Sequence, residues 1–491
     1  MSAPQRFAGR STLFSPFTSL SISPSSFACY FSLGTVFATI RTRAYKSHTQ
    51  RHTTMSDPFI LSMVLIVALA LSGLSVGLAM MSGSFVYLIL MDMQFPRGFD
   101  PSIATETMLQ GIFNGYTLLA IPLFILAADI MNIGSLADRL LKFCQALVGR
   151  FRGGLGHVNV VSSVIFSGMS GSAVADAVGM GKIIINMMTR DGKYTPAYAA
   201  AITAATATVG PIIPPSIPMV LYALVSDQSV GFLFAAGLLP GLLMALMMGV
   251  TNFWVAVKRE FPTDEAVPAR ELPRTTAQAF PALMLPVILL GGIYGGIMTP
   301  TEAAAVAAAY ALIISVVLYR SVSFKSFWGA LQAGSRSAGS IGVLIAGSLT
   351  FNYVITREDV PNQLAAFLNS MDLDPTGFLL VVNLLLLLLG CVLEGGAIIL
   401  IVIPILIPSV QAMGIDLVHF GVIAVVNAMI GLITPPYGML LFIVSNITQT
   451  PVANIIKEIW PFITALLAAL AVITFNPDFV LWLPRALGYG F

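Results

Sequence analysis

The chain has 491 residues and a formal net charge of +2, and it is 57% hydrophobic but only 9% charged. Soluble domains carry about 25% charged residues, so this composition excludes an ordinary soluble globule. The three cysteines and four histidines are scattered, which favours neither a disulfide framework nor a zinc site. The sequence has no basic stripe and no phosphate-binding loop, so neither nucleic acid nor ATP is an expected partner.

Residues 1–54 form a leader rich in Ser, Thr and Arg. Its six charged residues are all basic, so the rest of the chain has 18 basic residues against 22 acidic ones. Such a composition is typical of an organelle transit peptide, and the alternative is a start codon assigned too far upstream. We favour the alternative because Met55 opens an apolar stretch. We expect 1–54 to be disordered or untranslated, and 55–491 to form a single transmembrane domain.

Several segments after the leader are apolar over about 20 residues, the length that crosses a bilayer as a helix. They are 59–80, 231–257, 281–297, 303–319 and 461–475. The alternating polar and apolar pattern of a membrane barrel is absent. These observations predict an all-α polytopic membrane protein in a lipid bilayer.

Two other apolar segments fit poorly as simple crossings. Cytoplasmic loops of membrane proteins carry an excess of Lys and Arg. Segment 158–188 has basic loops at both ends, and segment 378–410 has a basic residue at neither. Each is therefore predicted to be a re-entrant helical hairpin, the first open to the cytoplasm and the second to the outside.

Two similar stretches place a double proline inside an apolar run. "GPIIPPSIP" begins at Gly210 and "GLITPPYGM" begins at Gly431, 221 positions later. Proline lacks an amide N–H and clashes with the preceding turn, so each pair should break a helix. The charges that flank the two stretches are opposite in order, and each stretch follows one of the predicted hairpins. This pattern predicts an inverted repeat, with halves at about 112–257 and 336–475, as in secondary transporters.

The two hairpin tips and the two breaks supply the candidate site residues. Carbonyls that lose their helix partner and nearby hydroxyls are hard oxygen ligands suited to Na⁺, and an acid within a membrane segment is a functional hypothesis by default. For substrate binding we select Ser170, Gly171, Ser172, Asp176, Pro214, Pro215 and Ser216. For a sodium region we select Gly210, Glu394, Gly395, Gly396, Gly431, Thr434 and Pro435.

Each of these choices has a structural alternative. The double prolines could be kinks that neighbouring helices support, the Gly- and Ser-rich tip could serve close packing, and Glu394 could reach headgroups or water. No convergent catalytic set is present, so we predict no enzyme activity and no catalytic residue. A channel, or a secondary transporter that works without a binding protein, remains the alternative function.

Six blocks of the sequence resemble one known family. They are "LLAIPLFILAADIMN" (118–132), "RGGLGHVNVVSS" (152–163), "SGMSGSAVADA" (167–177), "GPIIPPSIPM" (210–219), "GGIMTPTEAAAVA" (295–307) and "VNAMIGLITPPYG" (426–438). In this order and spacing the chain resembles the large membrane subunit, DctM type, of the tripartite ATP-independent periplasmic (TRAP) transporters. At "CVLEGGAIILI" (391–401) it departs from the family, which usually has an acid followed by Pro-Thr.

The resemblance implies a sodium symporter of the elevator type in the inner membrane of a bacterium or archaeon. It implies three partners: a small membrane subunit of the DctQ type, an extracytoplasmic substrate-binding protein of the DctP type, and an organic acid such as a dicarboxylate. It implies no cofactor beyond Na⁺ as the coupling ion. Which organic acid is carried does not follow from this chain, because selectivity would reside largely in the binding protein.

Overall fold

The computed structural model describes residues 56–94, 102–114, 116–133, 136–190, 192–261, 263, 271–370 and 373–490. The predicted leader lies outside these residues. Within them every regular element is a helix, apart from one isolated bridge between Arg152 and Thr263. The prediction of an all-α protein is therefore confirmed for the described part of the chain.

The first half of the described chain runs from α1 to α11. Its α-helices are α1 (Asp57–Leu71), α2 (Val76–Gln94), α3 (Ser102–Asn114), α4 (Ala120–Ile133), α5 (Leu136–Val148), α6 (Gly154–Ser170), α7 (Ala173–Asp176), α8 (Lys182–Arg190), α9 (Pro196–Ala207), α10 (Ile217–Ser226) and α11 (Val230–Lys258). A π-turn, Ala177–Gly181, joins α7 to α8.

The second half runs from α12 to α21. Its α-helices are α12 (Leu272–Tyr294), α13 (Pro300–Ile313), α14 (Phe324–Arg357), α15 (Val360–Ser370), α16 (Pro375–Gly390), α17 (Gly395–Ala412), α18 (Leu417–Gly431), α19 (Met439–Thr448), α20 (Val452–Phe475) and α21 (Pro477–Ala486). A second π-turn, Ile314–Leu318, extends α13.

Seven of these helices are long and apolar enough to cross a membrane: α2, α11, α12, α13 with its π-turn, α14, α17 and α20. The pair α4 and α5, bent by 74°, makes an eighth if it is one span. Five shorter apolar helices, α1, α10, α16, α18 and α19, accompany them. The chain is a multi-pass membrane protein.

One predicted crossing is wrong. Segment 59–80 was expected to be a single helix, but α1 ends at Leu71 and α2 begins at Val76. Gly73 has a φ of 93°, and its amide bonds to Ala70 while the Leu74 amide bonds to Leu69. This is the hydrogen-bond pattern of a Schellman turn, which captures the last helix carbonyls and reverses the chain.

The helices α6–α11 and α16–α20 repeat one plan. A helix, a short tip and a second helix are followed by a broken helix and then a long helix with an internal proline, Pro240 in α11 and Pro461 in α20. The two arms of each predicted hairpin contact one another. The helix–tip–helix form of both hairpins is thus present, and their re-entry from one membrane face stays a prediction.

The first segments of the two broken helices form the centre of the protein. From Tyr198 to Ala207 in α9, and throughout α18 from Val418 to Gly431, every residue is buried. A helix that is apolar on all sides belongs in such a core. Each packs against the long helix of the other half, α9 on α20 and α18 on α11. Likewise α10 packs on the second hairpin and α19 on the first.

Asn252, on α11, ties the start of the first hairpin to this core. Its amide nitrogen donates to the Gly153 carbonyl at 3.3 Å, and its amide oxygen accepts a bond from the Tyr198 hydroxyl at 2.7 Å. Asn252 and Tyr198 are both fully buried. A β-carbon at Gly156 would lie only 2.0 Å from the Asn252 oxygen, so the hairpin approaches this side chain closely.

We expect Asn252→Ala to lower the melting temperature of the purified protein in detergent. The change leaves the buried Tyr198 hydroxyl without its partner, which costs about 1–3 kcal/mol. The control is Thr251→Ala, because that hydroxyl bonds only to the Met247 carbonyl within its own helix. Equal melting temperatures for the Asn252 variant and the control would contradict the anchoring role.

Candidate functional site

The two breaks occupy corresponding places in the two halves. The first separates α9 from α10 and the second separates α18 from α19. The Pro214–Pro215 and Pro435–Pro436 peptide bonds are both cis. The breaks that the double prolines predict are therefore present, and they share the same peptide geometry.

Each break is hydrogen-bonded to the hairpin tip of its own half. The Ile217 amide donates to the Gly171 carbonyl at 3.4 Å, and the Gly438 amide donates to the Cys391 carbonyl at 3.3 Å. Ile217 and Gly438 are themselves 221 positions apart, the spacing of the repeat. Each tip therefore contacts the same point of its break, two residues after the second proline.

Two glycines allow this close approach. Gly171 ends α6 with a φ of 61°, and a β-carbon there would lie 2.5 Å from the Pro215 carbonyl oxygen. At Gly431 a β-carbon would lie 2.5 Å from the Gly390 α-carbon, so the two backbones are in contact. Any larger residue at either position would push the tip away from the break.

The first tip carries a buried carboxylate. Asp176 is 3% exposed, and its Oδ1 accepts a hydrogen bond from the Ser170 hydroxyl. Its Oδ2 is buried and has no hydrogen-bond partner in the described chain. A β-carbon at Gly210 would lie 2.1 Å from that oxygen, so Asp176 rests directly on the backbone where the first break begins. A buried, unpartnered carboxylate oxygen is costly unless a proton or cation binds it.

The other predicted residues of the first half lie around this contact. Pro214, Pro215 and Ser216 are fully buried, whereas Ser172 at the tip is partly exposed. Ser216 caps α10 by accepting a bond from the Met219 amide at 3.2 Å, and its hydroxyl donates to the Pro211 carbonyl. The sequence assigns Gly210 to the sodium region, and Ser170 and Asp176 to substrate binding. In the structure Asp176 contacts both of the other residues.

The second tip differs from the first because its acid is exposed. Glu394 precedes α17 as the cap residue, makes no side-chain cap bond, and is exposed. A β-carbon at Gly395 would lie 2.6 Å from the Met429 side chain of α18, whereas Gly396 has ordinary contacts to Leu221 and Leu344. Glu394 therefore does not meet the second break as Asp176 meets the first.

Most of the carbonyls expected to be free are bonded, which corrects the sequence-based expectation. The Gly431 carbonyl accepts from the Thr434 amide and the Leu432 carbonyl accepts from the Leu440 amide, each at 3.0 Å. A tight turn replaces one missing helix bond. The other is replaced by an amide in the first turn of α19, which has no partner within its own helix. The double prolines leave the carbonyls of Gly210, Pro211, Gly431 and Leu432 without a helix partner. Of these, only the Gly210 carbonyl has no hydrogen-bond donor among the described residues.

The second break is also more open than the first. Thr434 and Pro435 are partly exposed, and Pro436 and Tyr437 are exposed, whereas 210–217 is buried throughout. The Thr434 hydroxyl donates to the Ile430 carbonyl at 2.8 Å, which leaves its oxygen lone pairs available. The Tyr437 ring, 54% exposed, lies 5.1 Å from Phe442.

A pair of buried amide clusters was missed in the sequence. In the first half the Asn159 side chain on α6 bonds to Thr203 at 2.7 Å and to Thr206 at 3.0 Å on α9. In the second half Asn383 on α16 accepts from Asn427 on α18 at 2.6 Å and donates to Thr474 at 2.9 Å.

These clusters fix the first arm of each hairpin to its broken helix. Thr206 and Asn427 are 221 positions apart, so the repeat spacing is a signal that could have revealed them. Buried side-chain hydrogen bonds of this kind fix the relative position of the helices that carry them.

Comparison with known proteins agrees with this architecture. The chain is 39% identical over 425 residues to the sialic acid TRAP transporter large permease protein SiaM of Vibrio cholerae, covering 86% of this chain and 98% of that protein. It is 42% identical over 373 residues to the C4-dicarboxylate TRAP transporter large permease protein DctM of Pseudomonas aeruginosa, covering 76% and 87%.

A solved structure shares the fold at low identity. The Alcanivorax borkumensis YdaH transporter superposes with a TM-score of 0.58 at 14% identity, over 86% of this chain and 99% of that one. Residues 63–479 match the family described as the tripartite ATP-independent periplasmic transporter, DctM component. The chain therefore belongs to the DctM family and is a large permease subunit of a TRAP transporter, not an enzyme.

Proposed function

We propose that this subunit imports an organic acid in symport with Na⁺. The acid is handed over by an extracytoplasmic binding protein of the DctP type, and a small membrane subunit of the DctQ type supports the complex. The proposal places the complex in the inner membrane of a bacterium or archaeon. The observation that carries it is the pair of tip–break contacts at one repeat spacing, with the unpartnered Asp176 oxygen in the first of them.

The first tip and break form the proposed sodium site. Asp176 offers a carboxylate oxygen, and the adjacent Gly210 offers a carbonyl without a donor. Carboxylate, carbonyl and hydroxyl oxygens are the ligands that hard cations prefer. A bound cation would neutralise the buried carboxylate and offset the cost of leaving it unpaired. The carboxylate oxygen of Asp176 and the carbonyl oxygen of Gly210 are thus suitable ligands for Na⁺.

The second tip and break form the proposed opening to the substrate. Thr434 at the second break is partly exposed, and so is Ser172 at the first tip. Sialic acid and C4-dicarboxylates, the substrates in the names of two relatives, are both carboxylates. This common chemistry supports an organic acid as the substrate class.

The proposed movement is an elevator-like shift of the two hairpins and two broken helices as one body. Reciprocal packing of α10 on the second hairpin and of α19 on the first supports it, because it joins the elements of the two halves. An ion pair of 2.7 Å between Arg259 at the end of α11 and Glu458 in α20 adds a link between the halves.

Transport should need a sodium gradient and both partner proteins, and no ATP. The test is uptake of labelled sialic acid and succinate into proteoliposomes that contain the complex, with binding protein added outside. We expect accumulation above the external concentration only with inward Na⁺. Accumulation in choline, or a requirement for internal ATP, would contradict the proposal, and equilibration without accumulation would indicate a channel.

Asp176→Asn should raise the sodium concentration for half-maximal uptake more than any other single change at the site. Losing one charged ligand of several costs about 1–3 kcal/mol, or about ten- to a hundred-fold in affinity. Thr434→Ala should give a smaller shift, because that hydroxyl lies at the second break, outside the proposed sodium site, and donates to the Ile430 carbonyl. The matched control is Asp227→Asn, an exposed carboxylate at the end of α10. Sodium curves that superimpose for Asp176→Asn and the control would remove Asp176 from the ion site.

A further inference from the structure

The second arms of the two hairpins are irregular at the same repeat position. In the first hairpin the π-turn Ala177–Gly181 bonds amides to carbonyls five residues back, which interrupts the regular helix. In the second hairpin Pro404 lies inside α17 and lacks the amide that would bond the Leu400 carbonyl. Gly179, at the centre of the π-turn, and Leu400 are 221 positions apart. Both arms therefore have an interrupted helix backbone at corresponding points.

An asparagine from outside the hairpins contacts each of these points. The Asn352 side-chain nitrogen on α14 donates to the Leu400 carbonyl at 3.4 Å, in place of the missing helix bond. A β-carbon at Gly179 would lie 2.7 Å from the side-chain oxygen of Asn132 on α4, so this asparagine packs directly against the π-turn. Asn132 and Asn352 are 220 positions apart, one short of the repeat spacing. The same kind of contact thus occurs in both halves.

The helices that carry the two asparagines belong to a separate group, which we call the frame: α1, α2, α4 and α12–α14. In it α4 packs on α13 and α14, and α14 packs on α2. A β-carbon at Gly347 on α14 would lie 2.2 Å from the Gly77 carbonyl oxygen on α2. At the end of α14, Glu358 accepts a hydrogen bond from the Tyr87 hydroxyl on α2 at 2.5 Å. The frame is therefore held together by its own contacts.

The hydrogen bond between the frame and the second hairpin is longer than those within the proposed mobile body. Inside that body Asn159 bonds to Thr203 at 2.7 Å and Asn427 bonds to Asn383 at 2.6 Å. The Asn352 bond is 3.4 Å long, and its side-chain oxygen is buried without a hydrogen-bond partner among the described residues. A long hydrogen bond is weak, so this contact breaks at a low cost in free energy. A boundary between a moving and a fixed part requires such contacts.

We propose that Asn132 and Asn352 are positioning residues at which the frame holds the two hairpins in this conformation, and that both contacts break in each transport cycle. The inference rests on the proposed elevator-like movement, and it adds where the moving and the fixed parts separate. When the hairpins shift, Asn352 leaves the Leu400 carbonyl and Asn132 leaves the π-turn. Both residues act through the hairpins that carry the tips and contact neither substrate nor Na⁺.

The first test is a disulfide across one contact. A β-carbon at Gly179 would lie 3.2 Å from the side-chain carbonyl carbon of Asn132, so cysteines at these two positions are within disulfide reach. The pair Asn132→Cys and Gly179→Cys is made in a chain whose native cysteines are replaced by serine. We expect oxidation to stop uptake into proteoliposomes and dithiothreitol to restore it, because the disulfide ties the first hairpin to the frame.

The matched control joins the same π-turn to α9, within the mobile body. It is the pair Gly181→Cys and Thr203→Cys, because a β-carbon at Gly181 would lie 2.5 Å from the Thr203 methyl group. Its uptake should be equal in the oxidised and reduced forms. Uptake that continues through the Asn132–Gly179 disulfide, with the cross-link verified by mass spectrometry, would overturn the proposal, and so would an equal loss in the control. Uptake that needs no Na⁺ but stops on oxidation would contradict sodium symport and support this inference.

A second test measures conformation and not uptake. Asn352→Ala removes the bond to the Leu400 carbonyl, and cryo-electron microscopy images of the purified complex are sorted by the position of the hairpins relative to the frame. We expect the class with displaced hairpins to grow about two- to tenfold, the effect of losing one hydrogen bond. The control is Thr356→Ala, whose hydroxyl donates to the Asn352 carbonyl within the same helix. A lower melting temperature with an unchanged distribution of classes would make Asn352 a static packing residue and overturn the proposal.

Discussion

The architecture depends on how the protein satisfies backbone groups at two broken helices. Each double proline removes amide donors at the end of a buried, apolar helix, where an unsatisfied backbone group costs several kcal/mol. The protein supplies replacements from nearby: a hairpin tip accepts the Ile217 and Gly438 amides, and a serine or a neighbouring amide bonds the carbonyls. The hairpin tips lie against the breaks because they accept these two amides. Gly171 and Gly431 permit the close approach of the backbones.

The two halves share one arrangement of helices but differ in how exposed the tip and the break are. In the first, Asp176 is buried against Gly210, and the break is buried throughout. In the second, the tip acid Glu394 and the Tyr437 ring are exposed. A sealed carboxylate is suited to a dehydrated cation, and an open, partly polar surface is suited to a larger solute. We interpret the pseudo-symmetry as a scaffold on which one half specialised for the ion and the other for access.

Much of the fold could be predicted from the sequence, because proline and glycine specify local backbone geometry. The breaks after Gly210 and Gly431, the helix–tip–helix segments and the 221-residue repeat are all local patterns. The contact between Asp176 and Gly210 could not be predicted, since it depends on how the first hairpin docks. The bonds to the Gly431 and Leu432 carbonyls could not be predicted for the same reason. The path of the chain after the break determines which amides reach these carbonyls. The split of segment 59–80 was missed because an apolar run conceals a turn that a single glycine, Gly73, is enough to make.

We propose that the first tip and break hold a sodium ion at Asp176. Two cryo-electron microscopy maps of the complex with its small subunit, one in sodium chloride and one in choline chloride, test this directly. We expect density against Asp176 Oδ2, beside Gly210, in the sodium map and its loss in choline. Identical maps at Asp176, with its Oδ2 contacting only protein in both salts, would show that no sodium ion binds there.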